Sequence, residues 1–308
     1  MAERTKIAVV PESRPAMFDA LSEAVVAAGA DVVPVAEASA LIWADPAAAD
    51  AFPGVVAAAP QLEWVQLPYA GIENFADQLD PDLLWTCGKG VYAEPVAEHV
   101  IALTLAGFRH LHTASRATSW PAQEGKNLLG AKVTVIGGGG IAESLLRLLE
   151  PWGTETTVVR RSDAPLDGAT RTVSSDMISE TLPGADVVVL AAAVTEETIG
   201  MVDAEFLAAM AKDAWLVNVG RGALVRTDDL VEALRAGTIA GAALDVTDPE
   251  PLPDGHPLWE ETNCIITPHV ANTPEMGLPL IAERVRQNVE RWLSGDELIG
   301  PVDVRAGY

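Results

Sequence analysis

The stretch Val133-Thr134-Val135-Ile136-Gly137-Gly138-Gly139-Gly140-Ile141-Ala142 admits few folds. Its apolar start reads as a buried strand, its glycines as a tight turn, and the Leu-rich continuation as a helix over Ile141–Glu150. In Gly137-x-Gly139-x-x-Ala142 the first two glycines let backbone approach a pyrophosphate closely, and the amides opening the helix face that charge. Gly137, Gly139, Gly140 and Ile141 are therefore candidate dinucleotide-binding residues. Ala142 in the third position adds one methyl to the helix–strand contact.

Strand-like and Ala/Leu-rich helical runs alternate through most of the chain, the pattern of parallel α/β architecture. Strands are expected at Ile7–Val10, Val32–Val35, Leu41–Trp43 and Trp64–Leu67, with helices at Met17–Ala28 and Ala47–Ala57. A long helix is predicted from Glu94 to about Ala117, presenting Val96, Val100, Leu103 and Ala106 at helical spacing. Further strands are expected at Lys132–Ile136, Thr157–Arg160, Val187–Ala191, Trp215–Val219, Ile239–Leu244 and Cys264–Thr267. The intervening helices fall at Asp176–Thr181, Ala204–Met210 and Asp228–Ala236. A last helix, Leu278–Leu293, lies too far from the final strand to be another crossover and is expected to return to the first domain.

The chain has 308 residues, enough for two cores. Its formal net charge of −24 argues against nucleic acid or an anionic membrane as partner, and requires any site for an anion to gather its few Arg locally. The longest apolar run, Val187 to Val194, is too short to span a bilayer. Met1 to Lys6 pass into the first strand without a signal-peptide core. Cys87 and Cys264 show no metal-ligand spacing and read as two thiols in a reducing compartment, so a cytoplasmic protein without a metal is expected.

The end of the second strand of a dinucleotide unit usually carries an acid when NAD is bound, and Arg when NADP is. Here Arg160-Arg161-Ser162 stand in that place, with Asp163 one step late. NADP is favoured, and NAD stays open. Three other loops leave apolar strands with a guanidinium, a carboxylate and an imidazole. Arg221 is bracketed by Gly220 and Gly222, Glu250 by Pro249 and Pro251, and His269 by Pro268 and Val270. Such a trio suits reduction of a 2-keto acid: the guanidinium pairs with carboxylate and carbonyl oxygen, the imidazole gives a proton, and the carboxylate keeps it charged. His99, inside the long helix, reads as packing.

These motifs, with Leu244-Asp245-Val246-Thr247-Asp248-Pro249-Glu250-Pro251, Asn218-Val219-Gly220-Arg221-Gly222, Thr267-Pro268-His269, Tyr69-Ala70-Gly71 and Val91 to Glu98, make the chain resemble the D-isomer-specific 2-hydroxyacid dehydrogenases over nearly its full length. The resemblance implies two Rossmann-like, doubly wound parallel-sheet domains. A dinucleotide-binding domain, residues 99–277, would be inserted into a discontinuous substrate domain, residues 1–98 and 278–308. It implies Arg221, Glu250 and His269 as the catalytic set and Asp245 as partner of the nicotinamide carboxamide. It places the amides of Ala70 and Gly71, with Arg221, on the substrate carboxylate. Thr195 stands where the family's cofactor-contacting segment would be, although Ala193-Val194-Thr195 departs from its usual Pro-Leu-Thr.

The resemblance further implies a homodimer formed through the long helix and the arm around Trp120; with the sequence stopping at Tyr308, the appended regulatory domain of many phosphoglycerate dehydrogenases is not expected. The expected activity is reduction of a glyoxylate- or hydroxypyruvate-like 2-keto acid by NAD(P)H. Two rivals stand beside it: an NAD-linked 2-hydroxyacid or phosphoglycerate dehydrogenase-like enzyme, and a non-catalytic dinucleotide-sensing dimer that binds other proteins.

Overall fold

The computed structural model describes residues 5–304. The chain forms two compact units, one running Met1–Tyr92 and Thr273–Tyr308, the other Ala93–Asn272. Each is built on a wholly parallel sheet.

In the first unit, β1 (Lys6–Val10), β2 (Asp31–Val32), β3 (Ala40–Trp43), β4 (Trp64–Gln66) and β5 (Leu84–Thr86) lie in the order β2-β1-β3-β4-β5. Strand periodicity of two explains why both faces are apolar. Ile7, Val9, Ala40 and Ile42 enter one core, and Ala8, Leu41 and Trp43 the other. The first core is closed by the helices Pro15–Ala27 and Pro274–Ser294, the latter through Ile281, Val285 and Val289. Asn288 of that last helix donates from Nδ2 to Gln66 Oε1 at 2.8 Å inside the core. The returning segment is thus held to this sheet by polar as well as apolar contacts.

In the second unit, β6 (Lys132–Ile136), β7 (Glu155–Arg160), β8 (Arg171–Ser174), β9 (Val187–Leu190), β10 (Trp215–Asn218), β11 (Gly241–Leu244) and β12 (Cys264–Ile266) form the sheet β12-β11-β10-β9-β6-β7-β8. This is the doubly wound order with a seventh strand added. Val133, Val135, Val187, Val189 and Val217 face one core, and Ile136, Val188, Leu190, Leu216 and Leu244 the other. Each fully buried Val or Leu contributes roughly 1.5–3 kcal/mol, which is why near-continuous apolar runs read correctly as strands. Trp215 fills a slot between two glycines: a Cβ at Gly107 would lie 2.5 Å from its ring, and one at Gly241 2.6 Å. Helix Ala93–Phe108 therefore packs directly on β10 and β11.

Three local expectations change. The long helix stops at Phe108, because Lys126 returns to donate its N–H to the Phe108 carbonyl at 2.8 Å. The Lys126 ammonium, paired with Asp186 and Asp213, anchors that return. His110 then takes a left-handed backbone before the short helix Leu111–Ala114. The expected strands lack two that form: β5, only three residues long, and β8, of whose four residues only Val173 is buried. The Val32–Val35 strand shrinks to Asp31–Val32 and gives way to a helical turn at Val35–Glu37. Among the described residues no helix is long and apolar enough to cross a membrane.

Candidate active site

Parallel strands release their following loops at a common edge, so the loops after β6, β7, β9, β10, β11 and β12 line the carboxyl edge of the second sheet. β6 pairs with β7 on one side and β9 on the other, so the strand order reverses at the glycine-rich turn. Gly137 has φ of 115°, and a Cβ on it would lie 2.4 Å from the Ala191 carbonyl oxygen. No other residue fits there. A Cβ at Gly139, by contrast, would meet nothing within 4 Å. The helix Gly140–Leu149 has Gly139 as its N-cap and no side-chain cap. Its first amides, those of Gly140 and Ile141 among them, meet no side-chain cap, and an uncapped helix start of this kind favours an anion. Ala142 is fully buried against the sheet.

Arg160 ends β7 and lays its side chain over the turn; a Cβ at Gly138 would come within 2.8 Å of Arg160 Cδ. Arg161 and Ser162 follow and are exposed. The Thr195 hydroxyl, after β9, donates to Glu197 Oε2 at 2.7 Å. That bond, with a smaller contribution from the charge of Arg161, holds the Glu197 carboxyl below its usual range. The Arg161 charge, on the loop after β7, is thus felt by a carboxylate held on the loop after β9. Glycines that only a close backbone or an open cradle explains, an uncapped helix start and two arginines all suit a dinucleotide.

After β10, Asn218 shapes the Arg221 loop: its Oδ1 accepts from the Gly220 N–H (3.1 Å) and its Nδ2 donates to the Arg221 carbonyl (3.0 Å). Arg221 Nη1 donates to the Gly220 carbonyl at 2.8 Å. Gly222 lies against the backbone of Thr247, so the loops after β10 and β11 touch chain to chain.

After β11 and β12, Glu250 and His269 meet. Glu250 Oε1 is 2.6 Å from His269 Nδ1, and 53% of the imidazole side chain stays exposed. A carboxylate accepting from Nδ1–H leaves Nε2 as the nitrogen for proton transfer. His269 itself has φ of 53°, a left-handed backbone uncommon outside glycine. Its N–H is shared between the carbonyls of Asp245 (2.8 Å) and Thr267 (3.0 Å).

Asp245 is the fastening of this loop. Only 2% exposed, it accepts from Thr267 Oγ1 (2.6 Å), Val270 N–H (2.9 Å) and Ala271 N–H (3.0 Å), with His99 Nε2 at 3.3 Å. Burial alone would raise its carboxyl, but the bonds from His99, Thr267 and the two amides outweigh it and hold the group down to about 2. A carboxyl depressed in the fold adds stability above its ordinary value near 3.8, and that stability is lost as pH falls toward about 2. The stability gap between the wild type and Asp245→Asn, read from urea midpoints, is expected to be about 2 kcal/mol at neutral pH. It should close between pH 4 and 2. A gap independent of pH would contradict this account.

His99, expected from the sequence to be packing, instead reaches Thr267 and Asp245 with Nε2. It sits on the buried stripe between Val96 and Leu103, and an imidazole on that stripe was the available signal. The loop carrying Ala70 and Gly71 belongs to the first unit and follows β4. There the Tyr92 hydroxyl donates to the Pro68 carbonyl (2.8 Å) and Gly88 N–H to the Tyr69 carbonyl (3.0 Å). Cys87 and Cys264 are both free thiols. Among the described residues no cluster of His, Cys, Asp or Glu is placed to hold a metal.

A doubly wound sheet with a glycine-rich turn and an uncapped helix start at its switch point, and a carboxylate–imidazole pair along the same edge, suits a dinucleotide-dependent oxidoreductase. Residues 100–271 match the model for "D-isomer specific 2-hydroxyacid dehydrogenase, NAD binding domain", and the chain belongs to this family of NAD(P)-dependent dehydrogenases. It is 44% identical to an uncharacterized protein from the proB 3′ region of Corynebacterium melassecola, over 80% of this chain and 84% of that one. It is 34% identical to the glyoxylate reductase/hydroxypyruvate reductase of Homo sapiens, over 59% of this chain and 58% of that protein. The solved D-isomer specific 2-hydroxyacid dehydrogenase of Xanthobacter autotrophicus Py2, in complex with NADPH and MES, superposes with a TM-score of 0.84 at 27% identity, covering 99% of this chain and 100% of that one.

Proposed function

We propose that this chain reduces a short 2-keto acid of the glyoxylate or hydroxypyruvate type to its D-2-hydroxy acid, with NADP favoured over NAD as cofactor. The observation that carries the reading is the 2.6 Å contact between Glu250 and His269, on loops leaving two strands beside the one that delivers Arg221. The bound reduced nicotinamide supplies the hydride. His269 gives a proton from Nε2 to the carbonyl oxygen as it gains charge, and Glu250 fixes the ring through Nδ1. Arg221 pairs its forked donors with the substrate's carboxylate and carbonyl oxygen. Asp245 Oδ2, which accepts the Ala271 amide, has a lone pair left for the cofactor carboxamide. Gly137, Gly139, Gly140 and Ile141 cradle the diphosphate, and Thr195 borders it.

The substrate class is supported by the human relative's name, and the cofactor preference by the Arg160-Arg161-Ser162 run and by NADPH in the Xanthobacter complex. Oxidation of NADPH and of NADH with glyoxylate, hydroxypyruvate and longer 2-oxo acids tests both. Turnover with none of them ends the proposal. The double variant Arg160→Ala, Arg161→Ala is expected to raise KM for NADPH at least about tenfold, since each charged hydrogen bond lost is worth about 1.5–3 kcal/mol. The same variant should leave KM for NADH nearly unchanged; an equal rise for both cofactors would remove these arginines from the phosphate site.

A cytoplasmic homodimer belongs to the same reading. The free thiols support the compartment, and the exposed Leu111, Trp120 and Leu129, on the segment after helix Ala93–Phe108, support the dimer.

A further inference from the structure

Helix Ala93–Phe108 contributes a side chain to the His269 loop that the mechanism above does not use. His99 Nε2 lies 3.1 Å from Thr267 Oγ1 and 3.3 Å from Asp245 Oδ1. The Thr267 hydroxyl already spends its proton on Asp245 Oδ1 at 2.6 Å. Asp245 is an ionised carboxylate and only accepts. Both neighbours of Nε2 are therefore acceptors toward it, so Nε2 carries a hydrogen whether the imidazole is neutral or charged. The ring is four-fifths buried, which removes water as a ready substitute for that donor.

We propose that His99 is a positioning residue for His269, acting through Thr267 and Asp245. The loop needs such support for a physical reason. His269 holds a left-handed backbone, and conformations of that kind persist only where the surroundings over-determine them. What determines this one is Asp245, whose carbonyl takes the His269 N–H and whose carboxylate takes the next two amides. A buried carboxylate can hold that post only while enough donors face it. Three of the four come from the loop itself. Among the described residues His99 is the one donor from outside, and it ties both Asp245 and Thr267 to a helix packed on β10 and β11. Losing it removes the tie between this anchor and that helix, and leaves Asp245 with donors from the loop alone.

The role rests on the proposed assignment of His269, so the test has one arm that does not depend on activity. In His99→Leu, hydrogen exchange of the segment 267–271 is expected to speed at least tenfold, while kcat falls at least tenfold and the Kd for NADPH stays within threefold. His99→Gln places an amide nitrogen near the position of Nε2, and should recover most of both losses. Thr267→Val, nearly the same shape without the hydroxyl, should speed the same exchange and serves if His99→Leu does not fold. Unchanged exchange in His99→Leu or in Thr267→Val overturns the proposal, as does a Gln variant no better than Leu. Altered exchange with no keto-acid turnover in the wild type would instead uphold the network and remove the function.

Discussion

Replacing His269 with Ala is expected to lower kcat at least about a hundredfold, the usual scale for an acid–base group, while the Kd for NADPH hardly moves. One feature of the backbone complicates that substitution. His269 sits at φ of 53°, which Ala adopts at greater cost than His, so a loss in His269→Ala could reflect a loop that has relaxed. Asn tolerates the left-handed region and offers no titrating group near neutrality. His269→Asn should therefore be as impaired as His269→Ala if the missing proton is the cause. Stopped-flow reduction of glyoxylate at saturating NADPH measures it directly. An Asn variant turning over near the wild-type rate would show that His269 serves the loop and that the proton comes from elsewhere. Glu250→Gln belongs to the same experiment: it keeps an acceptor for Nδ1–H but loses the charge, and should fall between the wild type and His269→Asn.

How much of this site the sequence exposed depends on how local each cause is. Arg221 and Glu250 stood out because glycine or proline brackets them immediately after apolar runs, and His269 because Pro268 precedes it. Those are neighbours in the chain, acting on backbone freedom within two or three residues. The glycine-rich turn after β6 was legible for the same reason. The partnership of His99 with Thr267 was not, because it joins positions 168 residues apart and depends on how one helix packs on the sheet. Asp245 lay between these cases. Its motif suggests a cofactor contact, and its surroundings add that the same carboxylate holds the His269 loop. The end of the long helix at Phe108 was likewise invisible, since what stops it is Lys126, which reaches back from beyond a polar break.

Gly222 is legible as a glycine but not for its reason, and substituting it should be the most damaging single-methyl change in the second unit. A Cβ there would lie 1.9 Å from the Thr247 carbonyl oxygen, 2.0 Å from its carbon and 2.5 Å from the Asp248 nitrogen. All three are backbone atoms, so no rotamer relieves the overlap. Ordinary contact begins near 3.4 Å, which means the Arg221 loop must part from the β11 loop by more than an ångström. That displacement separates Arg221 from the segment leading to Glu250, and misplacement on the scale of about 1 Å costs roughly a hundredfold in rate. Overpacking adds a stability loss of about 1–3 kcal/mol. Gly220→Ala is the internal comparison. Its Cβ would lie 3.0 Å from the Ala192 carbonyl oxygen and from Leu224 Cδ1, distances that small shifts can absorb. Gly222→Ala is therefore expected to lose at least about a hundredfold in kcat/KM with a clear fall in Tm, and Gly220→Ala roughly tenfold or less. Paired thermal melts and glyoxylate assays decide it. Equal tolerance of the two substitutions would mean that the two loops are not locked together, and that the contact between the Arg221 loop and the segment leading to Glu250 is looser than their backbones require.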